Sequence, residues 1–156
     1  MKNKRYNNIE EWANTLSHGI GILLGIVAGY LLLEKASENI EPQWAVACVS
    51  VYLAGMLSSY VSSTWYHGSR PGKLKELLRK FDHGAIYLHI AGTYTLLDHL
   101  GELEATTAFW WLIGGGVSYI VGAVFYSLRK PYMHATFHLF CLGGSIGHII
   151  AIWLIL

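Results

Sequence analysis

The chain has 156 residues, enough for one domain, and 53% of them are hydrophobic whereas only 13% are charged. That charged share is about half of what a soluble globular domain carries, so it excludes an ordinary water-exposed surface. The net charge of +1 gives no indication of nucleic acid as a partner.

Five apolar stretches follow one another along the chain, separated by short polar breaks. Each is close to the ~20 residues that cross a hydrocarbon core, and a backbone inside a bilayer must satisfy its own hydrogen bonds as a helix. The sequence therefore predicts one all-α transmembrane domain over residues 1–156, a polytopic helix bundle. Its spans are placed at residues 17–33, 43–66, 82–97, 106–128 and 134–156.

The polar breaks predict the orientation of the bundle. Basic residues fall in the N-terminal tail, in the break at 67–81 and in the fourth break, whereas the other two breaks are mainly acidic. By the positive-inside rule the N-terminus is cytoplasmic and the C-terminus is outside. The basic residues are Lys2, Lys4, Arg5, Arg70, Lys73, Lys75, Arg79, Lys80, Arg129 and Lys130; the others are Glu34, Lys35, Glu38, Glu41, Asp98, Glu102 and Glu104.

The break before the third span contains its own helical pattern. Leu74, Leu77, Leu78 and Phe81 recur at helical spacing among basic residues. This pattern predicts a short amphipathic helix lying on the inner leaflet. A solvated basic linker is the alternative.

Ionisable side chains near the predicted spans are the candidates for function, because such groups are costly in a membrane. Six of them, from four spans, fall at one predicted depth near the cytoplasmic ends. Those six are His18, His67, Asp82, His83, His134 and His138.

The spacing of these residues predicts a metal site. His134 and His138 are four residues apart, so both rings project from one helix face, and Ser63 has the same spacing from His67. Three imidazoles and a water form a catalytic zinc site, in which Asp82 would bind the water or orient a ligand. All-nitrogen ligands favour zinc but leave other transition metals open. The alternative is that each histidine is an interfacial anchor.

The other histidines receive more modest interpretations. His83 is expected to face a neighbouring helix, and His18 is either a hydrogen-bond donor to a group of the site or an interface anchor. His89 and His148 lie deeper, where hydrogen-bonded packing is expected, although His148 could line a cavity. His99 lies in an outer break and is expected to be solvated.

Five motifs in this order resemble the haemolysin III proteins, which belong with the progestin and adipoQ receptors and, more remotely, the alkaline ceramidases. The resemblance covers nearly the whole chain. The motifs are Glu11-x-x-Asn14-x-x-Ser17-His18-Gly19-Ile20-Gly21, Ser62-Ser63-Thr64-Trp65-Tyr66-His67, Phe81-Asp82-His83-x-x-Ile86-Tyr87, Ala91-Gly92-Thr93-Tyr94-Thr95 and His134-x-x-Phe137-His138.

The resemblance implies a zinc ion held by His67, His134 and His138, with Asp82 acting through the bound water and Ser63 nearby. Relatives with assigned chemistry cleave amide bonds in lipids such as ceramides. The haemolysin name itself implies a different activity, cytolytic pore formation.

The sequence departs from the family pattern in its number of spans. Family members have seven, and their counterpart of Tyr94-Thr95 is followed by proline and two further helices, whereas here Thr95 runs into Leu96. Losing two spans keeps the metal residues on one side of the membrane, but it removes a wall of the cavity. An open side of this kind favours self-association into a homo-oligomer.

The leading hypothesis is therefore a zinc-dependent lipid amide hydrolase in the bacterial inner (plasma) membrane, with membrane lipids as partners and substrates. Asp82 would transfer protons and Ser63 would donate a hydrogen bond to the developing oxyanion. The alternatives are a pore-forming cytolysin or channel, and a non-catalytic receptor in which the metal has a structural role and links helices.

Overall fold

The structure is a computed structural model that describes residues 7–38, 45–97, 106–128 and 130–156, and these residues form five helices. The helices are α1 (Asn8–Glu38), α2 (Ala45–Gly68), α3 (Lys73–Leu97), α4 (Thr106–Ser127) and α5 (Met133–Ile155). The all-α prediction is confirmed. Outside the described residues lie Lys2, Lys4, Arg5, Glu41, Asp98, His99, Glu102, Glu104 and Arg129.

Four of the helices, α1, α2, α4 and α5, are long and apolar enough to cross a membrane. Large apolar side chains cover their outer faces; Leu23 and Ile120, for example, are 66% and 68% exposed, as expected for residues that face lipid. α3 is 25 residues long, but its first turns are basic. The fifth span therefore stays a prediction, as does the orientation of the termini.

The predicted amphipathic helix after α2 is not a separate element. α3 begins at Lys73 and continues without interruption to Leu97, because neither proline nor glycine occurs between Lys73 and Asp82. Leu78 is buried in the bundle, whereas Leu74 and Phe81 remain exposed. The prediction of a helical segment was right, and that of a break before the third span was wrong.

The five helices form an open arc. α1 packs against α2 and α5, α2 also packs against α3, and α5 also packs against α4. The spatial order is therefore α3, α2, α1, α5, α4, with α3 and α4 at the two ends of the arc. An apolar core joins the second half of α1 to the first half of α2 and to the last turns of α5; it includes Leu32, Val49, Tyr52, Met56 and Ile152.

The opposite end of the bundle is held together by polar contacts at the start of α1. Asn7 and Glu10 cap the helix reciprocally, each side chain accepting a hydrogen bond from the other's backbone N–H at 2.9 Å. Glu10 also accepts a hydrogen bond from the backbone N–H of Tyr132, just before α5. Lys75 of α3 donates to Glu11 at 2.7 Å. These contacts bring the beginnings of α1, α3 and α5 together.

Close contact between α2 and α3 depends on two glycines. A Cβ at Gly55 would lie 2.6 Å from the carbonyl oxygen of Leu88, and a Cβ at Gly92 would lie 2.8 Å from the Cα of Tyr52. Both neighbours are backbone atoms, which cannot rotate away. The absence of side chains here sets the distance of α3 from the rest of the bundle.

We expect Gly55→Ala to destabilise the protein by about 1–3 kcal/mol, the usual effect of overpacking. The matched control is Gly116→Ala, because a Cβ at Gly116 meets nothing within 4 Å and alanine favours a helix. Unfolding in detergent with increasing denaturant measures both variants. Equal stability of the two variants would show that the α2–α3 contact is not as tight as described.

Candidate metal centre

Three histidines meet where the end of α2 approaches the start of α5. His67 Nε2 lies 3.0 Å from His134 Nε2, and His134 Nε2 lies 3.1 Å from His138 Nε2. Nitrogens held at 2.0–2.1 Å from a tetrahedral ion lie about 3.3 Å apart, close to these distances. The three side chains could hold a metal ion.

The outward-facing nitrogens of two of these rings are held by α1. His67 Nδ1 lies 2.7 Å from a carboxylate oxygen of Glu11. His138 Nδ1 lies 3.0 Å from the hydroxyl of Ser17 and 3.3 Å from the carbonyl oxygen of Asn14. Carboxylates and backbone carbonyls are the usual partners of metal-bound histidines, because they fix the ring and its tautomer.

These partners determine which nitrogens can bind an ion. A carboxylate oxygen only accepts hydrogen bonds, so His67 Nδ1 can donate to Glu11, and the side-chain amide of Asn14 also lies 3.3 Å from this nitrogen. His138 Nδ1 can donate to the carbonyl oxygen of Asn14. When Nδ1 of a neutral ring donates, its Nε2 is an acceptor, and the Nε2 atoms of His67 and His138 both face His134 Nε2. A cation can be bound by all three nitrogens.

Asp82 and Ser63 lie beside this group. The Asp82 carboxylate interacts with both the Ser63 side chain and His67, and it lines a cavity together with His134 and His138. Ser63 is only 1% exposed, and its hydroxyl makes no hydrogen bond of good geometry. Ser63 itself does not line the cavity, and Asp82 is its neighbour that does.

The remaining described histidines surround the cavity or pack beneath it. His83 contacts Tyr126 of α4 at 3.3 Å, which confirms that it faces a neighbouring helix. His18 is buried and stacks on His138 with 3.6 Å between ring centroids, so it is not an interface anchor. Neither of its nitrogens makes a hydrogen bond with the described residues, so it packs on the site without donating to it. His148 packs against Tyr119, whereas His89, which was expected only to pack, lines the cavity.

Sequence reasoning missed the role of α1. Glu11 and Asn14 stood in a motif but received no function, although with His18 they recur at spacings of three and four residues in an apolar helix. That polar stripe was the available signal. Which ring nitrogens it would reach depends on how α1 packs between α2 and α5, and the sequence does not specify this.

We expect Glu11→Gln to weaken metal binding about 10–100-fold, as loss of such a partner does in other metal sites. The amide keeps the shape of the side chain but not the negative charge next to His67 Nδ1. Glu34→Gln, at the far end of the same helix, is the matched control. Competition with a fluorescent zinc chelator gives both affinities; the same affinity in both variants would contradict this role.

The arc of helices encloses a cavity of about 260 Å³ that all five helices line. The metal-ligand candidates His134 and His138 lie at one end with Asp82, and Tyr60, His89, Tyr119 and Cys141 also line the space. Apolar walls come from Ile86, Ala123 and Phe137. The cavity therefore combines a polar end with mainly apolar and aromatic walls.

The chain matches known proteins along almost its whole length. It is 32% identical over 192 aligned residues to "Hemolysin-3 homolog" of Bacillus subtilis (strain 168), covering 87% of this chain and 89% of that protein. It is 33% identical over 191 residues to "Hemolysin-3" of Bacillus cereus, covering 87% of each. No solved structure matches it. With its four apolar helices, the chain is an integral membrane protein.

The relatives contain residues that this chain lacks. Since 87% of 156 residues is about 136, about 56 of the 192 positions aligned with the Bacillus subtilis protein have no counterpart here. The same number of residues in one stretch would be enough for two spanning helices. The "Haemolysin-III related" family model matches in two parts, residues 6–100 and 95–149, which overlap at residues 95–100. The chain thus belongs to the haemolysin-III-related family.

Proposed function

We propose that this protein binds one zinc ion at His67, His134 and His138 and hydrolyses the amide bond of a membrane lipid. The observation that supports it most is the convergence of the Nε2 atoms of these three histidines, with Nε2–Nε2 distances of 3.0 and 3.1 Å. Three such nitrogens can serve as ligands of one cation that keeps an open coordination position.

The residues present fit zinc in particular. The three candidate ligands are imidazoles, with thiolate absent from the group, and zinc accepts such a set in catalytic sites. When bound, zinc polarises a carbonyl and lowers the pKa of its coordinated water to about 7. Contacts with Glu11 and Ser17 fix the orientation of the His67 and His138 rings. Little side-chain conformational entropy is therefore lost when the ion binds.

Asp82 and Ser63 supply the acid–base chemistry. The Asp82 carboxylate takes a proton from the attacking water, whose oxygen forms a bond to the amide carbonyl carbon. The Ser63 hydroxyl, which is buried beside Asp82, donates to the oxygen that becomes negative. Asp82 then gives the proton to the amide nitrogen as the C–N bond breaks, and the products are a carboxylic acid and an amine.

A lipid substrate fits the surroundings of the site. The cavity lies among helices of which four are apolar enough to span a bilayer, and Ile86, Ala123 and Phe137 line it together with Asp82, His134 and His138. A molecule with an apolar chain and a polar amide matches this mixed lining. We place the protein in the bacterial inner (plasma) membrane, with the site near the cytoplasmic face.

Reconstituted protein tests this function against the two alternatives. We expect release of fatty acid from a fluorescent N-acyl lipid, loss of that release with a zinc chelator and its return with added zinc. A cytolytic pore, as the relatives' printed names suggest, would instead release dye from vesicles whether or not zinc is present. A receptor with a structural metal would bind zinc but show neither activity.

We expect Ser63→Ala to lower the turnover number about 10²–10³-fold, the usual effect of removing one oxyanion donor. The matched control is Ser62→Ala, because the Ser62 hydroxyl donates to the backbone oxygen of Ser59 on its own helix. Zinc content should be unchanged in both. If Ser63→Ala keeps full turnover, Ser63 is not a donor in the reaction.

A further inference from the structure

The two ends of the helix arc, α3 and α4, face each other across the cavity. They pack chiefly against α2 and α5 respectively. Two His–Tyr pairs link them: His83 Nε2 lies 3.3 Å from the Tyr126 hydroxyl, and the rings of His89 and Tyr119 are 5.7 Å apart. The pairs are separated by six residues on α3 and seven on α4, about 9–10 Å along the helices.

Between the two pairs, the cavity opens to the outside of the bundle. Tyr87 and Ala123 both line the cavity and are exposed; Tyr87 is 73% exposed. Their exposed surfaces place part of the cavity wall at the outside of the bundle. We call this opening, bounded by the two His–Tyr pairs and flanked by Ile86, Tyr87 and Ala123, the lateral window.

The surroundings of the lateral window on α4 are apolar. Ala123 lies four residues from the end of the apolar helix α4, about 6 Å along its axis, and its exposed neighbours Ile120 and Val124 are apolar. The two parts of the family match change over at residues 95–100, at the end of α3 and before α4. In this chain the described residues leave the window open.

We propose that the lateral window admits the acyl chain of a bilayer lipid, which passes between α3 and α4 and places its polar group at the metal end. The inference rests on the proposed function, since it names the route of that substrate. Ile86 and Ala123 flank the window, Phe137 packs against His134 and His138, and all three line the same cavity as Asp82. A lipid therefore reaches the site without leaving the membrane.

Photolabelling in vesicles tests the window separately from the chemistry. The full chain is reconstituted in phosphatidylcholine that carries a diazirine in its acyl chain, and labelled residues are identified by mass spectrometry. Tyr60 and Cys141 line the cavity but are only 2% and 7% exposed, so bilayer lipid reaches them only by entering. We expect both to be labelled.

Variants at the window make the test specific. Ala123→Trp should reduce labelling of Tyr60 and Cys141 to background, whereas Ile120→Trp, one turn away on the lipid-facing side, should leave it unchanged. Tyr87→Ala widens the mouth and should increase labelling, which keeps the test valid if the tryptophan variant does not fold. Circular dichroism confirms the helical content of each variant.

Three results would overturn the lateral window: no label at Tyr60 or Cys141, labelling that is the same in the Ala123 and Tyr87 variants as in the parent protein, or crosslinks between two copies through α3 and α4. The last would mean that a second copy covers the opening. If labelling depends on the window but no lipid amide is hydrolysed, the window stands and the proposed reaction fails.

Discussion

His134→Ala is expected to lower bound zinc from about one ion per chain to nearly none and to abolish lipid amide hydrolysis. His134 lies in the middle of the three histidines, with its Nε2 3.0 Å from that of His67 and 3.1 Å from that of His138. Two imidazoles alone leave a zinc site without the three protein ligands that catalytic sites use. Metal analysis by mass spectrometry, followed by turnover of a fluorescent N-acyl lipid, measures both effects.

The control for this variant is His148→Gln on the same helix. His148 lies ten residues beyond His138, about 15 Å along α5, and packs against Tyr119. The His148→Gln variant should therefore keep its zinc. Zinc at the parent level in His134→Ala, with the fold intact, would contradict the assignment of His134 as a ligand.

Asp82→Asn is expected to lower the turnover number about 10²–10⁴-fold, the usual contribution of a general base, while zinc stays bound. The amide has nearly the same shape as the carboxylate but cannot take a proton from water at neutral pH. Since Asp82 is outside the group of three histidines, its loss should separate chemistry from metal binding. Turnover and metal content are measured on the same preparation.

Glu76→Gln is the matched control, because Glu76 lies earlier on α3 and does not line the cavity. It should behave like the parent protein. A large loss of zinc in Asp82→Asn would mean that Asp82 supports the metal site. That result would contradict its assignment as the general base. Unchanged turnover would exclude it from the reaction altogether.

The sequence was most informative about the helices and about which side chains share an end of the bundle. Apolar length predicted α2, α4 and α5 within a few residues, because a spanning helix has little freedom in length. The spacing of His134 and His138 predicted a shared helix face. Neither inference needs knowledge of how the helices pack.

Features that depend on packing could not be predicted. The first span was placed at residues 17–33, whereas the helix that contains it begins at Asn8. Hydropathy does not detect the first turns of this helix, because they are polar and begin with a capping box. α3 was divided because the basic residues of its first turns precede the apolar stretch that was assigned to the third span. The hydrogen bond from His67 Nδ1 to Glu11 joins residues that are 56 positions apart, and only the position of α1 between α2 and α5 brings them together.

Absorption spectroscopy at the zinc edge of the purified protein tests the central claim most directly. The account predicts about one zinc per chain, with three imidazole nitrogens and one oxygen at about 2.0–2.1 Å and no sulfur ligand. Protein that is folded but binds no metal when zinc is supplied, or a zinc signal with sulfur ligands, would contradict a site built from His67, His134 and His138.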